Sequence, residues 1–242
     1  MNGNPGPSAV RIALVLPDML GTYGDRGNVA VLAERLRLRG IGSEVVEINA
    51  GEFVPADCDL YMLGGGEDVA QLVAVRHLRQ QGTLVQAARR GAVVLAVCAG
   101  MQILGTSFVG SDGVAHGGLG LLDVNTRPMP KRAIGELVVR PDPAFGDELL
   151  TGFENHGGCT YLGQDARPLG AVLAGVGNGV NGVEGAVQGR VIGTYLHGPC
   201  LARNPAFADR LLAMVTGTEL APLSIPEVDA LRTERLRAAG VR

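Results

Sequence analysis

Two unbroken apolar runs constrain this chain more than any other feature: residues 10–16, Val-Arg-Ile-Ala-Leu-Val-Leu save for one arginine, and residues 92–97, Ala-Val-Val-Leu-Ala-Val. A strand with one wet face alternates apolar and polar residues, whereas a near-continuous apolar run is covered on both faces. The first run stops at Pro17 and the second at Cys98. Between them, helical and strand-like stretches alternate. Residues 28–38 place Val29, Leu32 and Leu36 at helical spacing, residues 43–48 and 60–63 read as strands, and residues 69–81 and 84–90 read as helices. This order predicts an α/β fold, with a mostly parallel central sheet flanked by helices.

From about Leu119 the texture changes. Short segments at 121–127, 136–140, 171–174, 183–188 and 191–196 read as strands joined by Gly/Asn turns such as Gly177-Asn178-Gly179, and they predict antiparallel additions to the sheet. Helices are expected at 205–215 and 226–239, the second charged and amphipathic. With no internal repeat and no dividing linker, the reading is one domain over 10–215. A flexible arm at 1–9 precedes it and an extension at 216–242 follows.

Composition excludes several functions. Apolar residues make up 46% of the 242, too many for a disordered chain. The net charge is -3 and the basic residues are scattered, so no nucleic-acid partner is expected. No apolar run approaches the roughly 18–20 residues of a membrane span. The start of the chain lacks the basic and apolar regions of a signal peptide, so a cytoplasmic protein is expected. Cys58, Cys98, Cys159 and Cys200 lie far apart with no C-x-x-C pair and are expected to be reduced.

Cys98 carries the most chemistry. It ends an apolar strand and precedes Ala99-Gly100-Met101-Gln102, so it sits at the carboxyl edge of the sheet, where open α/β folds place ligands. Small neighbours at Ala96, Ala99 and Gly100 suit a sharp nucleophile elbow. The following helix would aim its N-terminus at the sulfur, and the Ala99 N–H would face an oxyanion. The plain alternative is a buried core cysteine. Gly64-Gly65-Gly66, directly after a strand, lets backbone approach a ligand closely. The pattern is neither G-x-G-x-x-G nor a Walker loop, which argues against a nucleotide site. Among the four histidines, His197 ends a strand and can meet a strand-end cysteine across one sheet edge, which favours it over His156 as a base.

Taken together, Leu63-Gly64-Gly65-Gly66-Glu67-Asp68, Cys98-Ala99-Gly100-Met101-Gln102, Leu119-Gly120-Leu121-Leu122-Asp123 and Tyr195-Leu196-His197-Gly198 resemble class I glutamine amidotransferase domains of the CobB/CobQ-like type. Two narrower stretches, Tyr23-Gly24-Asp25-Arg26-Gly27-Asn28 and Gly152-Phe153-Glu154-Asn155-His156-Gly157-Gly158, are similar to the glutaminase subunits of lipid II isoglutaminyl synthases. The resemblance implies that Cys98 is the nucleophile on L-glutamine and His197 the general base and acid. It places the backbone N–H groups of Gly65 and Ala99 in the oxyanion hole, Gln102 against the substrate, and Arg132 on its α-carboxylate. It also implies a heterodimer with a MurT-like, Mur-ligase-like subunit. That subunit would hold ATP and magnesium and amidate the D-glutamate α-carboxyl of the peptidoglycan stem peptide, leaving no cofactor in this chain. Two departures stand out. Many relatives carry an acid two residues after the histidine, but here the run is His197-Gly198-Pro199-Cys200, so another group orients the imidazole or the site is a dyad. Ala96 replaces a common glycine.

Three other readings stay open on sequence: a γ-glutamyl peptide hydrolase, an amidotransferase with another acceptor, and a non-catalytic zinc protein. The last rests on two H-x-x-C pairs, His156/Cys159 and His197/Cys200.

Overall fold

The computed structural model describes residues 9–22 and 24–241. The expected arm at 1–9 therefore lies almost wholly outside the described residues, as do Tyr23 and Arg242.

In chain order the elements are β1 (Val10–Val15), α1 (Arg26–Arg37), β2 (Ser43–Ile48), β3 (Leu60–Leu63), α2 (Asp68–Gln81), α3 (Thr83–Arg89), β4 (Val93–Val97) and α4 (Ala99–Leu104). Then come β5 (Ser107–Val109), β6 (Ala115–Gly117), β7 (Val124–Pro141), β8 (Leu150–Leu162), β9 (Gly170–Ala174), β10 (Val183–Glu184), β11 (Ala186–Gln188) and β12 (Val191–Thr194). Helices α5 (Cys200–Arg203), α6 (Pro205–Thr216) and α7 (Pro226–Ala238) complete the chain.

The first sheet runs β11-β12-β4-β3-β1-β2, parallel except for β11 at one edge. Its central strands are apolar on both faces because helices cover both. Every residue of β3 and β4 is buried. Burial on this scale, at about 25 cal/mol per Å² of apolar area, is the main term holding an α/β core together. Arg35 of α1 ties the helical layer by a two-pronged bond to Asp209 of α6, both contacts 2.6 Å.

The antiparallel part differs from the sequence reading. Only β11, antiparallel on β12, extends the central sheet; the rest forms a second six-stranded sheet, β10-β9-β7-β5-β6, with β8 also on β7. The segments at 121–127 and 136–140 are parts of one long strand, β7. Its partner β8 was not expected to be a strand, because Glu154-Asn155-His156-Gly157-Gly158 reads locally as a polar, glycine-rich loop. Pairing with β7 overrides that local signal. The stretch 183–188 is split at Gly185, φ +64°, into β10 in the second sheet and β11 in the first.

The helix expected there is present as α7, but it buries none of its residues and so shows no apolar face turned to the core. It lies against α5 and β8 of its own domain. Arg232 anchors it by donating to the carbonyls of Leu149 and Arg203 and to Asn204 Oδ1. No helix among the described residues is long and apolar enough to cross a membrane.

Candidate active site

The parallel register brings two strand ends together. β12 and β4 pair with Thr194 opposite Val97, and the Cys98 N–H continues the ladder by donating to Thr194 O at 2.8 Å. Cys98 thus leaves β4 beside the strand that reaches His197 three residues later. His197 is fixed from its other side by a reciprocal backbone pair with Phe153 of β8, 2.9 and 3.0 Å. The two sheets therefore meet at the histidine.

Cys98 adopts φ 53°, ψ -110°, which is rare for a residue with a side chain. Such strain costs on the order of 1–3 kcal/mol and persists only where the surroundings enforce it. Here they do. Gly100 donates to Gly64 O at 3.2 Å, and a Cβ on Gly100 would stand 2.9 Å from that oxygen. A Cβ on Gly64 would stand 1.9 Å from Leu20 O. Gly100 lets the elbow pack on the Gly64–Gly66 loop, and Gly64 lets that loop pack on the Leu20 backbone.

The sulfur is buried, and desolvation pushes its pKa up to about 12; the charge of Asp25 pushes the same way. The Ala99 N–H bond to the sulfur and the charge of Arg132 oppose this. Burial therefore favours the thiol over the thiolate.

Asp25 was quoted in the sequence motif but given no role. It is fully buried just before α1, with Oδ2 accepting the Gly65 N–H at 2.7 Å and Oδ1 3.7 Å from His197 Nδ1. A carboxylate from near the start of the chain therefore stands beside His197, which has no acid two residues after it. Linear sequence could not reveal that, because the two residues lie far apart in the chain. Its one signal was an aspartate in an otherwise glycine-rich turn.

The same hydrogen bond corrects the oxyanion assignment. The Gly65 N–H points to Asp25, so it does not face the cleft. The next residue, Gly66, lines the cleft together with Cys98 and Ala99.

This cleft, about 180 Å³, lies between α2, the elbow and the strands β7 and β8. Arg132 enters it from the irregular stretch of β7 between Pro128 and Ala133, where the pairing with β8 slips. Breaks of this kind re-aim side chains. Arg132 Nε donates to Asn155 Oδ1 at 2.6 Å, which orients the guanidinium. Gln102 also lines the cleft, but both ends of its amide are engaged: Oε1 accepts from Gln71 Nε2 at 2.8 Å, and Nε2 donates to the Tyr195 hydroxyl at 3.1 Å. Gln102 therefore couples α2 to the strand end beside His197. Glu184 supports the same strand end by accepting the Thr194 hydroxyl at 2.5 Å and the Tyr195 N–H at 2.8 Å. Burial raises the Glu184 carboxyl to about 7.

His156, the less favoured base, stacks flat on Tyr195 with ring centroids 3.6 Å apart, and its Nδ1 pairs with Gly158 O. The zinc reading fails on geometry. His156 and Cys159 are three apart on a strand and so face opposite sides. Among the described residues no three His, Cys, Asp or Glu side chains converge to hold a metal.

A strand-end thiol in a cleft, with a buried histidine on the neighbouring strand end facing a carboxylate, is an arrangement suited to attack on a carbonyl carbon. The model of the CobB/CobQ-like glutamine amidotransferase domain matches residues 11–205, and the chain belongs to that family. Among curated relatives, the chain is 38% identical over 217 residues to the GatD subunit of lipid II isoglutaminyl synthase (glutamine-hydrolyzing) of Staphylococcus aureus, covering 88% of this chain and 87% of that one. The subunit of the same name from Streptococcus pneumoniae is 34% identical over 85% of this chain and 80% of its own length. A crystal structure of a glutamine amidotransferase, 16% identical, superposes with a TM-score of 0.57 over 85% of this chain and 98% of that one, a likeness of fold.

Proposed function

We propose that this chain is the glutamine-hydrolysing subunit of a lipid II isoglutaminyl synthase. It releases ammonia from L-glutamine and passes it to a MurT-like, Mur-ligase-like partner in a heterodimer. The partner, holding ATP and magnesium, activates the D-glutamate α-carboxyl of the peptidoglycan stem peptide for amidation. The observation that carries the reading is the 38% identity across 88% of the chain to a subunit of that name.

In the reaction, Arg132 pairs with the α-carboxylate of glutamine, a bond that guanidinium forms in two-pronged fashion. Cys98 Sγ attacks the side-chain amide carbon while His197 takes the thiol proton. The developing oxyanion is held by the N–H groups of Ala99 and Gly66. The carbon–nitrogen bond then breaks, and His197 returns its proton so that ammonia leaves. Water attacks the glutamyl thioester with His197 as base, which frees glutamate and the thiol. Asp25 stabilises the imidazolium formed on the way.

The test uses the chain copurified with its Mur-ligase-like subunit, lipid II and ATP. Amidation of the stem peptide is expected with glutamine or with ammonium. In Cys98→Ala only the ammonium route should survive. Glutamine-supported amidation that persists in Cys98→Ala would overturn the reading.

A further inference from the structure

Strand β12 ends at Thr194, and His197 lies three residues beyond it. Tyr195 and Leu196, between them, are fully buried and belong to no strand. Their N–H groups must find acceptors all the same. The His197 N–H takes Phe153 O from the second sheet. The other two converge on one side chain of that sheet. The Tyr195 N–H donates to Glu184 Oε1 at 2.8 Å. The Leu196 N–H donates at 3.1 Å to the Thr194 hydroxyl, which itself donates to the same Oε1 at 2.5 Å. Thr194 also accepts the Cys98 N–H through its carbonyl, so one residue joins the nucleophile's strand end to Glu184. Glu184 is itself firmly held. It is fully buried and pairs with Gly170 across β9, and the Asn178 amide bonds both the N–H and the carbonyl of the next residue, Gly185, at 2.8 and 2.9 Å.

We propose that Glu184, acting through Thr194 and the Tyr195 N–H, is the positioning residue that keeps His197 in register with Cys98. The proposal rests on the glutaminase reading above. Two donors meet at a single oxygen, so the contribution of Glu184 is a fixed acceptor. Its side chain is not part of the cleft lining. Its loss therefore leaves substrate binding in place and should fall on kcat rather than on KM.

The full chain is assayed with the Mur-ligase-like subunit proposed for it, lipid II and ATP, with glutamine or ammonium as the nitrogen source. Glu184→Leu, which fills much the same space and accepts nothing, should lower kcat for glutamine about 100-fold with KM within about threefold. Thr194→Val, which keeps the shape and removes the hydroxyl, should lower kcat about tenfold, and it decides the matter if Glu184→Leu does not fold. The double variant should be little worse than Glu184→Leu alone, because both changes break the same link. Glu184→Gln and Thr194→Ser, which keep the acceptor and the hydroxyl, should stay within about fivefold of wild type. Ammonium-supported amidation should be unchanged throughout. A kcat for Thr194→Val within about threefold of wild type would overturn the proposal. So would losses that fall on KM, that multiply in the double variant, or that strike the glutamine and ammonium routes alike. A wild type that uses ammonium but not glutamine would instead refute the glutaminase reading beneath it.

Discussion

One carboxylate serves two parts of the site: Asp25 holds the Gly65 N–H through Oδ2 at 2.7 Å and stands 3.7 Å from His197 Nδ1 through Oδ1. The residue that orients the glycine loop is thus the one that faces the histidine, and both are buried with it. An imidazolium formed on His197 would therefore lie beside a carboxylate that solvent does not screen.

Asp25→Asn removes that charge and keeps an acceptor for Gly65. The expected result is a fall in kcat of about 100-fold or more, within the range that acid–base assistance usually supplies. KM for glutamine should change little, and the melting temperature should stay near wild type. A turnover number within threefold of wild type would show that Cys98 and His197 work as a dyad.

Arg132 faces the cleft from the break in β7, oriented by Asn155. Arg132→Lys keeps the charge but loses the fork that matches a carboxylate. KM for glutamine should rise about tenfold or more while kcat stays within a few-fold. Steady-state kinetics would check this, and a loss confined to kcat would place Arg132 elsewhere in the reaction.

The buried thiol sets a pH dependence. With the Cys98 pKa raised to about 12, the protonated form dominates at every pH below that. Only the thiolate alkylates, so the rate of iodoacetamide labelling at Cys98 should climb about tenfold per pH unit through pH 10 without levelling. An ordinary exposed cysteine reaches half its plateau rate near pH 8.5 and levels off about a unit higher. A plateau near pH 8 would show that the folded protein stabilises the thiolate at rest.

Much of this architecture was legible in the sequence. The runs ending at Pro17 and Cys98 identified β1 and β4 within a residue, because strands buried on both faces leave an unambiguous apolar signature. The cysteine elbow followed from the apolar run that ends at Cys98 and the small residues around it. The second sheet was harder. β7 and β8 are long and irregular, rich in Pro, Gly and charge, and are made by pairing with each other rather than by local preference. Asp25 and the engaged Gly65 N–H are contacts between distant segments, which no local pattern encodes. Glycines were readable as loop formers, but not as the points where two backbones touch.

Gly64 is such a point. In Gly64→Ala the new methyl would overlap Leu20 O, a backbone atom that cannot swing aside. We expect a stability loss of about 3 kcal/mol or more, at the upper end of overpacking costs. Urea unfolding would measure it. A loss below about 1 kcal/mol would mean that the loop and the segment around Leu20 can move apart.

The central claim is that Cys98 opens the glutamine amide. The most direct test is paired release of ammonia and glutamate from L-glutamine by the chain copurified with the Mur-ligase-like subunit proposed for it, wild type beside Cys98→Ala. The account predicts equal amounts of the two products from wild type and turnover near background from the variant, since the members of such a unit act together. Equal release from both proteins would contradict it.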